Sequence, residues 1–158
     1  MSVNIDIQQK DGWEVLTYNG PINEEAEVHL TQIVSQLGTK VRINFKKVSM
    51  VNSCGVRGWV NFMRELEQNR EIIYEECTSE IVMQINMIPS FKGEADVESV
   101  YGAYACEECG HNDEILFEKG KNLPESEDDE IAPVKCSQCG EEMEMEELED
   151  EFFAFVAA

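Results

Sequence analysis

Four cysteines stand as two pairs, Cys106/Cys109 in "CEEC" and Cys136/Cys139 in "CSQC", and a glycine follows each pair at once. Two intervening residues let one tight turn aim both sulfurs at a single cation, and the glycine accepts the backbone that turn needs. Together the pairs predict a closed tetrahedral four-sulfur set, with Zn²⁺ as the default ion and iron geometrically allowed. No coordination position is left for water or substrate, so the ion would be structural. The competing chemistry is a pair of dithiol redox centres. It is disfavoured because neither pair has the strand-then-helix setting that lowers a thiol pKa, and acidic surroundings oppose thiolates. A metal removes that opposition by stabilising the thiolates directly. His111 follows Gly110 and could substitute as a ligand, but four sulfurs already fill the shell.

A second place for chemistry is "VRINFKKVSMVNSCGVRGWVNF", residues 41–62, in which a strand delivers Ser53 and Cys54 to the start of a helix. A helix N-terminus presents free N–H groups and a potential that favours anions. A phosphate on Ser53 would be tolerated there, unless Ser53 rather than Asn52 is the helix cap. Cys54 in the same field could be an oxidation-sensitive thiol. The plainer expectation is that Cys54, like Cys77, is buried, filling space against the sheet. Arg57 and Arg64 lie seven apart on one helical face, where they would meet an acidic partner or the chain's own acidic segment.

That acidic segment is pronounced. The 158 residues carry a formal charge of −21, of which residues 106–158 contribute three cations against eighteen anions. Such a surface repels nucleic acid and anionic lipid, so neither is an expected partner. A basic protein partner fits it, and so does plain solubility. The start, "MSVNIDIQQKDG", lacks the basic region and apolar run of a signal peptide, and nothing approaches the roughly 20 apolar residues of a membrane span. A cytoplasmic protein is the expectation.

The elements that must position these groups can be read from periodicity. "NIDIQQK" and "WEVLTYNG" predict an antiparallel hairpin, with Asn19-Gly20 as a turn signal. Helical spacing from Glu24 to Leu37 predicts a helix capped by Asn23 and ended by Gly38. "KVRINF" is a strand. The helix after the Ser–Cys turn should bury Val56, Val60, Met63 and either Trp59 or Leu66. "EIIYEEC" is a strand, "SEIVMQINMI" a helix with Ser79 as its cap, and "ADVESVYGAYAC" a last strand leading out of the domain. The order β-β-α-β-α-β-α-β predicts α/β crossovers around a mixed sheet over residues 1–105, one face covered by helices. Residues 106–158 form a separate zinc-ribbon-like module with "EILFE" as a strand, too small to fold without its metal. "MEMEELEDEFFAF" supplies a third strand and returns Phe152, Phe153 and Phe155 to the main domain. For Ala157 and Ala158 the competing reading is a frayed acidic tail.

The stretch "VRINFKKVSMVNSCGVRGWVNFMREL", with the element order, resembles the central motif of STAS domains, the fold of anti-sigma-factor antagonists. The resemblance covers about residues 1–105. It implies a four- to five-stranded sheet packed against helices, a docking role toward a protein partner such as an anti-sigma-type kinase, and release by phosphorylation within the motif. Carried onto this chain, Asn52 stands at the family's Asp, Ser53 at the first hydroxyl position, Cys54 at the phosphoacceptor and Gly55 at the glycine. Cysteine is no substrate for a serine kinase, so the usual switch does not transfer.

An enzyme needs positioned acid, base or nucleophile groups. The two histidines, His29 and His111, support no Ser/His/Asp or Cys/His arrangement, and Gly55-x-x-Gly58 is not a nucleotide fingerprint. The reading is therefore a non-enzymatic bacterial regulatory interaction module. Its alternatives are a constitutive structural adaptor and a thiol- or metal-based redox sensor.

Overall fold

A computed structural model describes residues 3–157, so the reading of Ala158 as frayed lies outside the described residues. Strands β1 (Asn4–Lys10) and β2 (Trp13–Ile22) form an antiparallel hairpin. The turn is Asp11-Gly12, both at positive φ (52° and 84°), the backbone that a two-residue hairpin loop demands. Asn19-Gly20 is not a turn. Gly20, at φ 120°, marks the irregularity where β2 leaves one parallel neighbour, β3 (Lys40–Asn44), and takes up another, β4 (Val48–Val51).

Between β2 and β3 lie helix α1 (Ala26–Ile33) and a 3₁₀ turn, Val34–Gln36. After β4 come α2 (Ser53–Leu66), β5 (Glu71–Glu75), α3 (Ser79–Met87), the short α4 (Pro89–Lys92) and β6 (Asp96–Val97). The main sheet runs β1-β2-β3-β5-β6 with β4 attached to β2. Among the described residues it has six strands rather than four or five, because "VSMV" pairs where a bare connection was expected, while β6 is the two-residue edge that the expected last strand leaves in this sheet.

One sheet face is the core. Leu16, Ile43 and Tyr74 share it by register, and all three are fully buried. Trp59 of α2 drops onto this face. Its Nε1 donates to Tyr74 Oη (3.0 Å), and Tyr74 Oη donates to the Phe91 carbonyl (2.6 Å), so both buried polar groups are satisfied. The buried stripe of α2 is Gly55, Gly58, Trp59, Phe62, Met63 and Leu66. Val56 and Val60 are only half-buried, because the two glycines turn the stripe toward α1 and β2. The opposite sheet face carries Arg42 over the Trp13 ring (4.9 Å to its centroid) and paired with Glu98 at 2.7 Å.

"ADVESVYGAYAC" resolves into two strands in different sheets. Strand β7 (Ser99–Ala105) pairs antiparallel with β8 (Asn112–Glu118) and β9 (Glu144–Met145), in the order β8-β7-β9. Glu76, at φ 49°, ends β5 and swings Cys77 alongside Val100. There the Cys77 N–H donates to the Ser99 carbonyl and the Tyr101 N–H to the Cys77 carbonyl, which sews the second sheet to the first. The last helix, α5 (Glu149–Phe152), and a closing 3₁₀ turn bury Phe152, Phe153 and Phe155. Phe153 meets Phe117 of β8 edge-on at 5.2 Å, and Asn86 of α3 donates to the carbonyls of Glu151 and Phe152. The phenylalanines thus pack between the second sheet and α3.

Candidate functional site

The two cysteine knuckles are built alike. The Cys106 N–H donates to the His111 carbonyl and the Cys106 carbonyl accepts from Gly110 (2.8 and 2.9 Å). The Cys136 N–H donates to Glu141 and the Cys136 carbonyl accepts from Gly140 (2.7 and 2.9 Å). Each turn closes through a glycine in the left-handed region, Gly110 at φ 78° and Gly140 at φ 80°. All four Sγ atoms lie within 4.8 Å of one another, with Cys106–Cys139 at 3.5 Å and Cys109–Cys136 at 3.6 Å. A Zn–S bond of about 2.3 Å places tetrahedral sulfurs about 3.8 Å apart, so the set fits a metal ion. Cys106 and Cys136 are buried, while Cys109 and Cys139 face solvent. Desolvation raises the Cys136 pKa, but N–H groups of Gln138 and Cys139 with the neighbouring thiols outweigh it and bring it down to about 6.

His111 lies outside the sulfur set. Its Nε2 is 3.4 Å from Ser137 Oγ and 3.6 Å from Asp113, and Ser137 Oγ donates to Asp113 Oδ2 at 3.2 Å. Serine and aspartate meet the same nitrogen, so this is a tie between the knuckles rather than a proton relay.

At the Ser–Cys turn the helix cap is Asn52, whose Oδ1 accepts the Gly55 N–H at 2.8 Å. The same side chain turns its Nδ2 toward Glu24 at 3.4 Å, a role an aspartate would reverse into repulsion. Ser53 is therefore not used as the cap, and both Ser53 and Cys54 are exposed. The expectation that Cys54 is buried fails because the core-facing positions here are Gly55 and Gly58. Cys77, by contrast, is fully buried, and burial pushes its thiol pKa well up. Two other cap expectations shift by one or two residues. Thr78, not Ser79, caps α3, and Asn23 forms a turn onto Glu25 while α1 begins later without a side-chain cap. Gly38 comes after the 3₁₀ turn, where its N–H meets the Glu14 carboxylate.

Arg57 and Arg64 are exposed and make no ion pair among the described residues, so they do not engage the acidic segment. The Ser–Cys turn and the sulfur set are carried by different sheets. Sequence reasoning missed the tie between Glu76 and Tyr101, because its partners are 25 residues apart and no local pattern links them. No Ser/His/Asp or Cys/His relay is assembled among the described residues. No helix among them is long and apolar enough to cross a membrane.

No family model matches this chain, and no curated protein matches it. Among solved structures, the anti-sigma factor antagonist SpoIIAA in its unphosphorylated form is similar over 47% of this chain and 72% of its own. The identity is 21% and the TM-score 0.35. That likeness is slight.

Proposed function

We propose that this chain is a regulatory protein–protein interaction module that binds rather than catalyses. Its docking face is the start of α2, where Asn52, Ser53, Cys54 and Arg57 are presented and the buried Gly55 seats the helix against β2, and its partner is a signalling protein such as an anti-sigma-type kinase. The observation that carries this reading is that Asn52 takes the whole capping duty and leaves Ser53, Cys54 and Arg57 exposed and uncommitted. The STAS-like unit of residues 1–105 supplies that face. The four-cysteine module of residues 106–158 holds one structural Zn²⁺ and steadies the unit through β7. With cysteine at the acceptor position, partner release does not follow the usual serine phosphorylation.

Exposure of Cys54 at a helix N-terminus favours one second reading, a thiol whose oxidation alters docking. Native mass spectrometry of the tagged protein drawn gently from its own cells tests both. One zinc and a defined protein partner, lost on Arg57→Glu, is the expected result. Partner loss on mild peroxide that Cys54→Ser prevents would establish the sensor. Metal-free protein with disulfides at both knuckles would overturn the structural-zinc assignment.

A further inference from the structure

The described residues leave four large apolar side chains well exposed, and two of them, Met83 and Met87, border one groove. Met83 (48% exposed) and Met87 (61%) stand one turn apart on α3, and Leu148 (68%) precedes α5. Between α3 and α5 lies a groove of about 240 Å³ floored by Val82 and Phe152, walled by the two methionines and edged by Glu147 and Glu151. Asn86 holds the walls together through its bonds to the Glu151 and Phe152 carbonyls.

We propose that this groove receives an amphipathic helix of a partner protein, with one or two apolar anchors flanked by lysine or arginine. Three observations select that occupant. The volume is below the roughly 300–1,000 Å³ of small-molecule sites but suits side-chain anchors, and methionines adapt to varied apolar shapes. Neither residues 71–91 nor residues 136–158 contain a lysine or arginine, while residues 140–151 hold eight carboxylates. Finally, Glu147 is half-buried with no cationic partner among the described residues, and burial together with Glu146 pushes its carboxyl pKa upward. A cation delivered beside it relieves that cost. A second copy of this chain would bring the same acidic rim, and an anionic lipid surface would be repelled. The proposal does not depend on the docking role given to α2.

The test titrates the full zinc-loaded chain into a fluorescein-labelled model helix of leucine and lysine in amphipathic order, at 0.15 M salt. A scrambled peptide of identical composition is the control. The ordered peptide should bind about tenfold tighter than the scrambled one. Met83→Gln with Met87→Gln should cost about tenfold, and Glu147→Gln with Glu151→Gln a few-fold with a shallower salt dependence. Replacing Glu127, Asp128 and Asp129, which do not line the groove, by their amides removes more charge and should change affinity less than about twofold. Methyl NMR should place the largest shifts on Met83 and Met87. Equal binding of the scrambled peptide, an equal loss on neutralising the 127–129 loop, or shifts centred elsewhere would reduce the attraction to bulk charge and overturn the proposal. So would no binding at millimolar peptide, or a protein that is dimeric with the groove covered.

Discussion

Tyr101 donates its phenolic hydroxyl to Glu76 Oε1 at 2.6 Å, joining the second sheet to the residue that ends β5. Asn44 reaches the other oxygen of the same carboxylate, and Lys46 lies 4.0 Å from Oε1. Partial burial by itself would raise the Glu76 pKa. The Tyr101 and Asn44 hydrogen bonds and the Lys46 charge outweigh it and hold the carboxyl below its usual value. Burial and the neighbouring Glu76 push Tyr101 up to about 12.

The sign of the pH dependence follows. Glu76 contributes stability above its unfolded pKa, and this is lost as pH falls through the depressed folded value. Tyr101 keeps its proton in the folded state after the unfolded chain has released it. Stability therefore also falls as pH rises from the ordinary tyrosine value of 10.0 toward about 12. Tyr101→Phe should cost about 1 kcal/mol near neutral pH and flatten both limbs. Urea unfolding across the pH range checks this, and limbs unchanged by the substitution would remove Tyr101 from the account.

Gly55 is the closest approach in the docking element. A Cβ built there would lie 1.9 Å from the Ile22 carbonyl oxygen, whereas one on Gly58 would meet Glu27 Cβ at 2.8 Å. Alanine in a helix gains up to about 1 kcal/mol over glycine, which opposes the clash. Gly55→Ala should therefore destabilise by about 2 kcal/mol or more because backbone must move, and Gly58→Ala by clearly less. Equilibrium denaturation of the pair gives the ordering, and equal costs would refute it.

Cys54 and Cys77 separate by access. In the native metal-loaded protein a thiol reagent should label Cys54 promptly, and Cys77 only after unfolding. Cys54→Ser should change stability by less than about 0.5 kcal/mol, as for an exposed site without partners. Mass mapping of the labelled peptides decides it, and rapid Cys77 labelling would show that the junction of the two sheets opens.

Removing the metal should act locally. Cys106→Ser breaks the sulfur set, so metal content should fall to zero and the second sheet should lose its fixed aromatic environment. Helices α1 and α2 pack on the main sheet, and most of the far-UV helical signal should remain. Acid should release the ion in the same way, because protons compete for the thiolates. Loss of the whole far-UV signal on Cys106→Ser would mean that both sheets share one cooperative core.

The four-sulfur set was legible because its information is local. Two residues between cysteines and a glycine after them specify a turn, and each knuckle shows the same hydrogen bonds. Strands β3 and β5 and helices α2 and α3 were legible for the same reason, since alternation and helical spacing report which side chains must leave water. Neighbouring polar residues were the weak point: Asn52 and Ser53 both offered an oxygen to the helix N–H, and the expected cap Ser79 gave way to Thr78, one residue earlier.

By itself, then, the sequence determined the mixed α/β class, the two knuckles and the acidic C-terminal third, because each rests on neighbouring residues. Tertiary structure alone decided that Cys54 is exposed, that β7 leaves the main sheet, that Glu76 meets Tyr101, and that Met83 and Met87 border a groove with Glu147. Each of these depends on which distant surfaces meet once the core has closed, and packing of that kind leaves no period in the chain.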